Sequence, residues 1–333
     1  MTQLPDLNPV VELIGNYQKI AVVSHFNPDA DAYGSACGLA IALKGIGKSV
    51  TVYNESGVVS RYLNVPGVAD INSALPDQFD AETLLIVCDC GAAERVGEKF
   101  ISTITATRPL LNIDHHTQNS MFGSENLVVE SASSTSEIIY HLLKEILPDA
   151  SKLPLDSARA LLTGIIGDTG SFRYPSTSPE TFLVAYELTK LGAHPSDIVQ
   201  RLFGNISLPA LRLQTESLNK VELSHNGALA EVIVSTDMVT RLGADILDAD
   251  SLAERARDIQ GVCIAALYKQ DGDIWRVSLR SRGPEWDISE IARSFGGGGH
   301  KPAAAFRWRK DFETLQSTLH EKVSELLARC PAK

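Results

Sequence analysis

The feature that most constrains this chain is a series of short apolar segments, each followed at once by aspartate or histidine. Lys19–Ser24 (KIAVVS), Thr83–Cys88 (TLLIVC) and Pro109–Ile113 (PLLNI) lack the polar–apolar alternation of a strand with one wet face. Such segments read as strands buried on both sides. Ser49–Tyr53 and Asn126–Glu130 have the same texture. Helix-length stretches separate them. Ala36–Leu43 is closed by Gly45, and a capping box from Ser134 to Glu137 opens Ile138–Ile146. Another helix starts at Pro154 and Asp156 and runs toward Gly167, and one more is opened by Ser178-Pro179-Glu180 and closed by Gly192. Buried strands alternating with helices predict an α/β fold: a parallel sheet with helices on both faces.

After about residue 192 the pattern changes. Ser207–Val221 reads as a connecting helix, and Ala228–Ser235 and Val262–Tyr268 as strands. Asp271-Gly272 marks a hairpin leading into Trp275–Leu279. Asp287 and Glu290 cap a helix to Phe295; Gly296–His300 (GGGGH), a strand at Ala303–Trp308 and a helix from Phe312 follow. The expected organisation is an α/β domain over 1–190, a helical linker over 191–215, and a smaller α/β domain over 216–333 across a cleft.

Three polar clusters end the buried strands: His25 to Asp31 (HFNPDAD), Asp89, and Asp114-His115-His116. In open parallel sheets ligands bind beyond the carboxyl ends of the strands, so these clusters should converge on one crevice. A single aspartate after a strand is more often a turn residue or a helix cap, and Asp31 alone could cap the helix that follows. Three clusters mixing aspartate and histidine are poorly explained that way. Carboxylates and imidazoles without cysteine suit a divalent metal of intermediate hardness, Mn²⁺ best, with Mg²⁺, Co²⁺ and Zn²⁺ also compatible. Two ions sharing a carboxylate would offset the repulsion among the acids. Asp168 ends the apolar, glycine-flanked segment Gly164–Gly170 and needs a partner if buried; a metal and the amides of the next turn are equally good readings.

Ser24–Ser35 (SHFNPDADAYGS), Asp89, Asp114-His115-His116 and Gly164–Gly170 resemble, in order and spacing, the four signature motifs of the DHH phosphoesterase superfamily. Ser278-Leu279-Arg280-Ser281 with GGGGH resembles the DHHA1 substrate-binding domain. The pairing is similar to the bifunctional oligoribonuclease and pAp phosphatase proteins of bacteria. The resemblance implies that His25 and Asp29 bind a first metal. It implies that Asp31, His115 and Asp168 bind a second, and that Asp89 bridges both. It makes His116 a contact of the substrate phosphate and Asp114 the acceptor that orients a ligand histidine. Family members often have Asp-Gly-Asp where this chain has Asp29-Ala30-Asp31, a change that keeps both carboxylates.

The second domain suggests how substrate is held. Residues 276–310 carry eight basic and three acidic residues, inside a chain of net charge −11. A solvated basic face is the ordinary explanation of such a stretch. The glycine run adds to it, because backbone N–H groups of Gly297, Gly298 and Gly299 can approach an anion closely. His300, Arg280 and Ser281 supply further donors, Arg280 bidentately. Aromatic residues are only 6% of the chain, which argues against a long stacking platform for single strands.

The implied activity is hydrolysis of very short RNA oligonucleotides and of 3′-phosphoadenosine 5′-phosphate (pAp) by water activated between two metals. Cyclic di-AMP or linear pApA is the close enzymatic alternative, and inorganic pyrophosphate or polyphosphate a weaker one. A nucleotide-sensing or RNA-binding module is the non-enzymatic one, disfavoured because the ligand set is intact. Short single-stranded RNA or DNA and pAp are the expected partners; no obligatory protein partner is evident, and a homodimer is compatible. An acidic chain will not coat duplex DNA by bulk charge. No apolar run spans a bilayer, and residues 1–10 lack a secretion-signal pattern. Five scattered cysteines suggest a reducing cytoplasm, with Cys88 and Cys90 packing as small hydrophobes rather than as a soft-metal pair.

Overall fold

The structure, a computed structural model, describes residues 4–329 apart from 148, 205, 284 and 310; Lys310 and Cys330 lie outside the described residues. It divides into two compact units, residues 1–205 and 206–333.

The first unit runs α1 (Asn8–Asn16), β1 (Lys19–Ser24), α2 (Ala30–Gly45), β2 (Ser49–Tyr53), β3 (Thr83–Cys88), α3 (Ile101–Ala106), β4 (Leu110–Asp114), β5 (Glu125–Val128), α4 (Thr135–Ile146), α5 (Leu155–Asp168), α6 (Pro179–Lys190) and α7 (Pro195–Phe203). Its five strands are all parallel, in the order β2-β1-β3-β4-β5. Successive residues send their side chains to opposite faces. Ile20, Val22, Leu84, Ile86, Leu111 and Ile113 pack with α2, α4 and α5 on one face. Ala21, Val23, Leu85, Val87 and Leu110 pack with Val96, Phe100 and Ile104 on the other. The unbroken apolar runs follow from this, since every position of β3 and β4 and every position of β1 after Lys19 is buried. The expectation of helices on both faces holds, though among the described residues one face has several helices and the other only α3 with its flanking turns.

Helices α2 and α5 pack unusually close. A Cβ at Gly34 would lie 2.6 Å from the Ala160 carbonyl, and one at Gly164 would overlap Ser136 Oγ and the Asp31 carboxylate. These glycines let the start of α2 meet the end of α5, where Asp31 and Asp168 sit.

The second unit runs α8 (Leu208–Asn219), β6 (Glu222–Ser224), β7 (Leu229–Val234), α9 (Thr236–Leu242), α10 (Leu252–Arg257), β8 (Ile264–Asp271), β9 (Ile274–Ser281), α11 (Ile288–Ser294), β10 (Gly298–His300), β11 (Ala303–Trp308) and α12 (Phe312–Arg329). Its sheet, β10-β11-β9-β8-β7-β6, is antiparallel except for β7 with β8. The expected hairpin joins β8 to β9, with Gly272 at φ 59° in its turn. One face packs on α11 and α12; the other packs on α8 to α10 beneath β7 and β8. The GGGG run is divided: Gly296 sits in the turn after α11 at φ 77°, while Gly298 and Gly299 belong to the edge strand β10. A Cβ at Gly297 would overlap the Ala305 carbonyl, whereas at Gly298 it would meet nothing within 4 Å.

Several predicted elements start elsewhere. Helix α2 begins at Ala30, not Ala36, and α1 has no counterpart in the sequence pattern. The expected Ser134–Glu137 capping box is only half formed. Ser134 Oγ accepts from Glu137 N at 3.1 Å, but the Glu137 carboxylate turns away to Ser133 Oγ at 2.6 Å and Thr181 Oγ1 at 2.8 Å. A tertiary partner on α6 outcompetes the local N-cap amide.

Candidate metal centre

The polar clusters lie where the parallel strands end. His25 follows β1, Asp29 is the N-cap of α2 and Asp31 lies in its first turn; Asp89 follows β3, Asp114 ends β4 with His115 and His116 after it, and Asp168 ends α5. Among the described residues, potential ligand atoms of three groups come within 4.8 Å of one another: His25, Asp29 and Asp89; Asp31, His115 and Asp168; and Asp89, His115 and His116. Asp89 belongs to two of the groups. It lies 3.6 Å from His25 Nε2 through Oδ2 and 3.6 Å from His115 Nε2 through Oδ1. His115 Nε2 is 3.2 Å from Asp168 Oδ2.

Local structure orients each group. Asp29 caps α2 with one oxygen, Oδ1 accepting from the amides of Asp31 and Ala32 at 3.0 Å, while Oδ2 faces His25 Nε2 at 3.8 Å. The cap is therefore Asp29, not Asp31. Asp31 instead receives the start of another helix: Thr135 N donates to it at 2.7 Å and Ser136 N at 3.0 Å, so the positive end of α4 faces a buried carboxylate. Asp89 sits at φ 57°, a left-handed conformation that aspartate tolerates better than most residues and that turns the chain out of β3. His25 Nδ1 lies 2.9 Å from the Phe26 carbonyl, so Nδ1 carries a proton there, and Nε2 is turned toward Asp29 and Asp89. Asp168 meets His115, and no amide of the following turn donates to it among the described residues; those amides bond Ile165, Gly167, Ile166 and Thr169 instead.

Asp114 is fully buried. It accepts from Asn119 Nδ2 at 2.7 Å and holds His116 Nδ1 at 2.6 Å. The histidine it orients is thus His116, rather than His25 or His115. Burial opposes a charge on Asp114, but His116 and Asn119 outweigh it and keep its carboxyl below the usual range. Burial likewise disfavours a proton on His116, yet Asp114 and Asp89 raise its pKa. Burial, then the charges of Asp89 and Asp168, hold Asp31 well above the carboxylate range. Asp168 is raised by desolvation and by Asp29 and Asp89. For His25, burial is overcome by Asp29 and Asp89, which push it up to about 10. Four carboxylates crowd together with three imidazoles, and no thiol belongs to these groups. That donor set fits divalent cations, whose charge would relieve the repulsion.

Sequence reasoning missed three supporting residues. Thr135 Oγ1 donates to Asp89 Oδ1 at 3.1 Å, Asn119 secures Asp114, and Asn54 Nδ2 donates to the His25 carbonyl at 2.8 Å. None lies in a recognisable motif. Only the serine–threonine run 133–136 before an apolar helix could have signalled a helix start pointing at acids.

In the second unit, Arg276, Ser278 and Arg280 of β9 share a face with Ala303, Ala305 and Arg307 of β11, cross-strand neighbours by register. Small residues and Gly298 leave this face open. Arg280 Nε donates to Glu254 at 2.7 Å, which fixes its guanidinium. Ser281 is buried and its hydroxyl donates to the Gly283 carbonyl at 3.1 Å. Gly299 sits at φ 138°, close against Ala304. The side chain of His300 lies outside the described residues. Cys37, Cys88, Cys90 and Cys263 are buried free thiols, and among the described residues no helix is long and apolar enough to cross a membrane.

Comparison with known proteins agrees with this arrangement. Residues 19–165 match the DHH family, N-terminal domain, and residues 230–327 the DHHA1 domain. The bifunctional oligoribonuclease and PAP phosphatase NrnA of Bacillus subtilis is 32% identical over 92% of this chain and 97% of its own length. A cyclic-di-AMP phosphodiesterase, GdpP of Geobacillus thermodenitrificans, is 28% identical over 88% of this chain, but only 45% of its own length is covered. An exopolyphosphatase-related protein of Bacteroides fragilis shares the fold over 96% of this chain and 95% of its own, with a TM-score of 0.89 at 23% identity. With both domains matched in order and a relative aligned almost end to end, the chain belongs to the DHH family, in the NrnA-type arrangement of a DHH domain followed by a DHHA1 domain.

Proposed function

We propose that this chain hydrolyses the phosphoester bonds of very short RNA oligonucleotides and of pAp, using two divalent ions, Mn²⁺ by preference. The observation that carries the reading is the pair of ligand groups, His25–Asp29–Asp89 and Asp31–His115–Asp168, with Asp89 close enough to both imidazoles to serve two ions. The near end-to-end similarity to an oligoribonuclease and PAP phosphatase supports the substrate class.

Divalent ions held there would lower the pKa of water and neutralise charge on the phosphoryl oxygens. The chain's own residues do the rest. Asp89, fixed by its left-handed backbone and by Thr135, keeps a carboxylate between the two groups. The Asp114–His116 pair lies beside them, with Asp114 and Asp89 favouring a proton on the imidazole against its burial. Its Nε2 would hydrogen-bond a phosphoryl oxygen and stabilise the charge that grows as water attacks in line. Positioning of the nucleotide falls to the amides of Gly298 and Gly299, His300 and Arg280, tethered by Glu254, because the Gly297 amide is taken by the Ala292 carbonyl and the Ser281 hydroxyl by the Gly283 carbonyl.

The deciding experiment offers pAp, RNAs of graded length, cyclic di-AMP and pyrophosphate to the Mn²⁺-loaded protein and ranks kcat/KM. Short RNAs and pAp should lead. Cyclic di-AMP in first place would overturn the substrate assignment, and turnover of none of them would favour a sensing or binding module.

A further inference from the structure

The open face that carries Arg280 continues along β9 and β11. Alternation puts Arg276, Ser278 and Arg280 on one side of β9 and Ala303, Ala305 and Arg307 on the same side of β11, while Val277, Leu279, Ala304 and Phe306 point into the core. The pairing sets these residues in rows across the sheet. One row runs from Arg280 through Ala303 to the position of His300 on β10, and the next holds Ser278, Ala305 and Gly298. The third places Lys269 of β8, Arg276 and Arg307 directly side by side.

Like charges set opposite one another on a sheet repel, so a row of three cations needs an account. Lys269 is answered within the unit, being buried and bonded to Asp250. Arg276 reaches Asp271, but side-chain exposures of 40% and 45% make that pair a weak tie. Arg307 is exposed and meets no carboxylate at ion-pair distance among the described residues. An unanswered guanidinium beside a weakly held one suits an anion from outside, and phosphate oxygens match guanidinium donors bidentately.

The middle row keeps the way between the two ends open. Ser278, Ala305 and Gly298 bring no long side chain, Ala305 is itself exposed, and a Cβ at Gly298 would meet nothing within 4 Å. The result is a shallow trough with Arg280 and the glycine strand at one end and two arginines at the other. Arg276 lies four residues from Arg280, and Arg307 four from Ala303, a separation of about 13 Å at ~3.3 Å per residue. In a nucleotide chain six covalent bonds join successive phosphorus atoms. Three peptide-backbone bonds span at most ~3.6 Å, so six reach about 7 Å, and two such steps match the trough.

We propose that Arg276 and Arg307 form a second phosphate subsite, which takes the backbone phosphate two nucleotides along from the one held at the Arg280 end. The inference rests on the nucleotide-positioning role given above to Arg280 and the amides of Gly298 and Gly299. It makes the trough a gauge of substrate length. In pAp both phosphates sit on one nucleoside, a single step apart, and span half the trough; an RNA with three phosphates or more spans all of it.

The test uses Arg307→Ala and Arg307→Glu, with Lys322→Ala on α12, against the opposite side of the sheet, as a control for bulk charge. Arg307 is exposed, so all three variants should melt with the parent. For a five-nucleotide RNA, kcat/KM should fall about tenfold in Arg307→Ala, the scale of one charge-assisted hydrogen bond, and further in Arg307→Glu, whose carboxylate would occupy Arg276. A 5′-phosphorylated dinucleotide and pAp should stay within twofold in both, and Lys322→Ala should change none of them. Anisotropy of a labelled five-nucleotide RNA on chelated protein reads binding without turnover. There the slope of log affinity against log salt should shrink by about 0.7 in Arg307→Ala, the value for one phosphate of a single strand. Equal losses for two and five nucleotides, or an equal effect of Lys322→Ala, would reduce the row to bulk attraction and overturn the subsite, as would unchanged handling of the longer RNA. Length-dependent binding without turnover would uphold the subsite and refute the assigned hydrolysis; turnover with no length effect of Arg307 would do the opposite.

Discussion

Two buried carboxylates in this molecule have the same exposure and opposite surroundings. Glu231, on β7 of the second unit, is 3% exposed, and Asp89, after β3 of the first, is 2% exposed. Glu231 accepts from Tyr268 Oη at 2.8 Å and Gln316 Nε2 at 3.3 Å on one oxygen, and meets His320 Nε2 at 2.8 Å on the other. Its hydrogen bonds are supplied by its own unit. Asp89 has one side-chain hydroxyl, three imidazoles at 3.6 to 3.8 Å, and other carboxylates nearby. The second unit repeats the first pattern elsewhere, with Arg280 on Glu254, the buried Lys269 on Asp250, and Arg276 on Asp271. Burial alone therefore does not identify a site. A buried acid whose partners are supplied within the fold is structural; a group of acids left with excess negative charge is waiting for a cation.

Exchanging the two acids separates these roles with the largest effect. Asp89→Ala should lower turnover by about 10³-fold or more, the scale for removing a major electrostatic stabiliser, with thermal stability of the apoprotein preserved. Glu231→Ala should do the reverse, costing about 3 kcal/mol of stability by leaving Tyr268 and His320 without their acceptor, with turnover per folded molecule nearly unchanged. Denaturant melts alongside steady-state rates decide it; a metal-loaded Asp89→Ala protein with normal turnover would break the contrast.

The support of Asp89 gives the next largest effect. Thr135→Val removes the 3.1 Å hydrogen bond at nearly constant volume and should weaken Mn²⁺ binding by about 10- to 100-fold, as loss of outer-shell partners does elsewhere. Thr135→Ser should restore it. Calorimetric titration of the metal reads both, and Val and Ser variants with equal affinity would make Thr135 a packing residue.

The excess negative charge also predicts how stability depends on pH. The native state holds protons on Asp31 and Asp168 above the ordinary carboxylate range, and on His25 up to about 10. The unfolded chain releases them near pH 4 and pH 6.5. The stability these groups contribute is therefore present at low pH and is lost as pH rises through the native values. Asp114, lowered in the native state, acts oppositely but only below about pH 4. From pH 5.5 to pH 8, chelated protein should melt at progressively lower temperature. Saturating Mn²⁺ should remove the trend, because metal displaces the protons. A flat profile after chelation would mean the acids are satisfied as Glu231 is.

The smallest effect is expected at the glycine run. Gly298→Ala should fold as the parent does, since its Cβ would enter open space, and any loss should appear in nucleotide KM alone. Gly297→Ala should destabilise the second unit by collision with the Ala305 carbonyl. Melting curves of the two variants test whether GGGG is a packing requirement at one position and a recognition surface at the next.

Much of this was legible in the sequence because burial on both faces leaves a plain signature. Lys19–Ser24, Ser49–Tyr53 and Thr83–Cys88 are strands over the same residues that their composition predicted, and the residues after them are the ones that meet. Chemistry at the carboxyl end of a parallel strand follows from topology, so order along the chain was enough to bring His25, Asp89 and His115 to one edge. Partner choice was not legible. Asp29 rather than Asp31 caps α2, Glu137 abandons its N-cap for Thr181, Asp114 takes His116, and Arg280 takes a glutamate 26 residues away. Each choice is a competition between a local hydrogen bond and a distant one of similar strength. Only the packed positions of α4, α5 and α6, set by glycines that admit close approach, decide which donor arrives first.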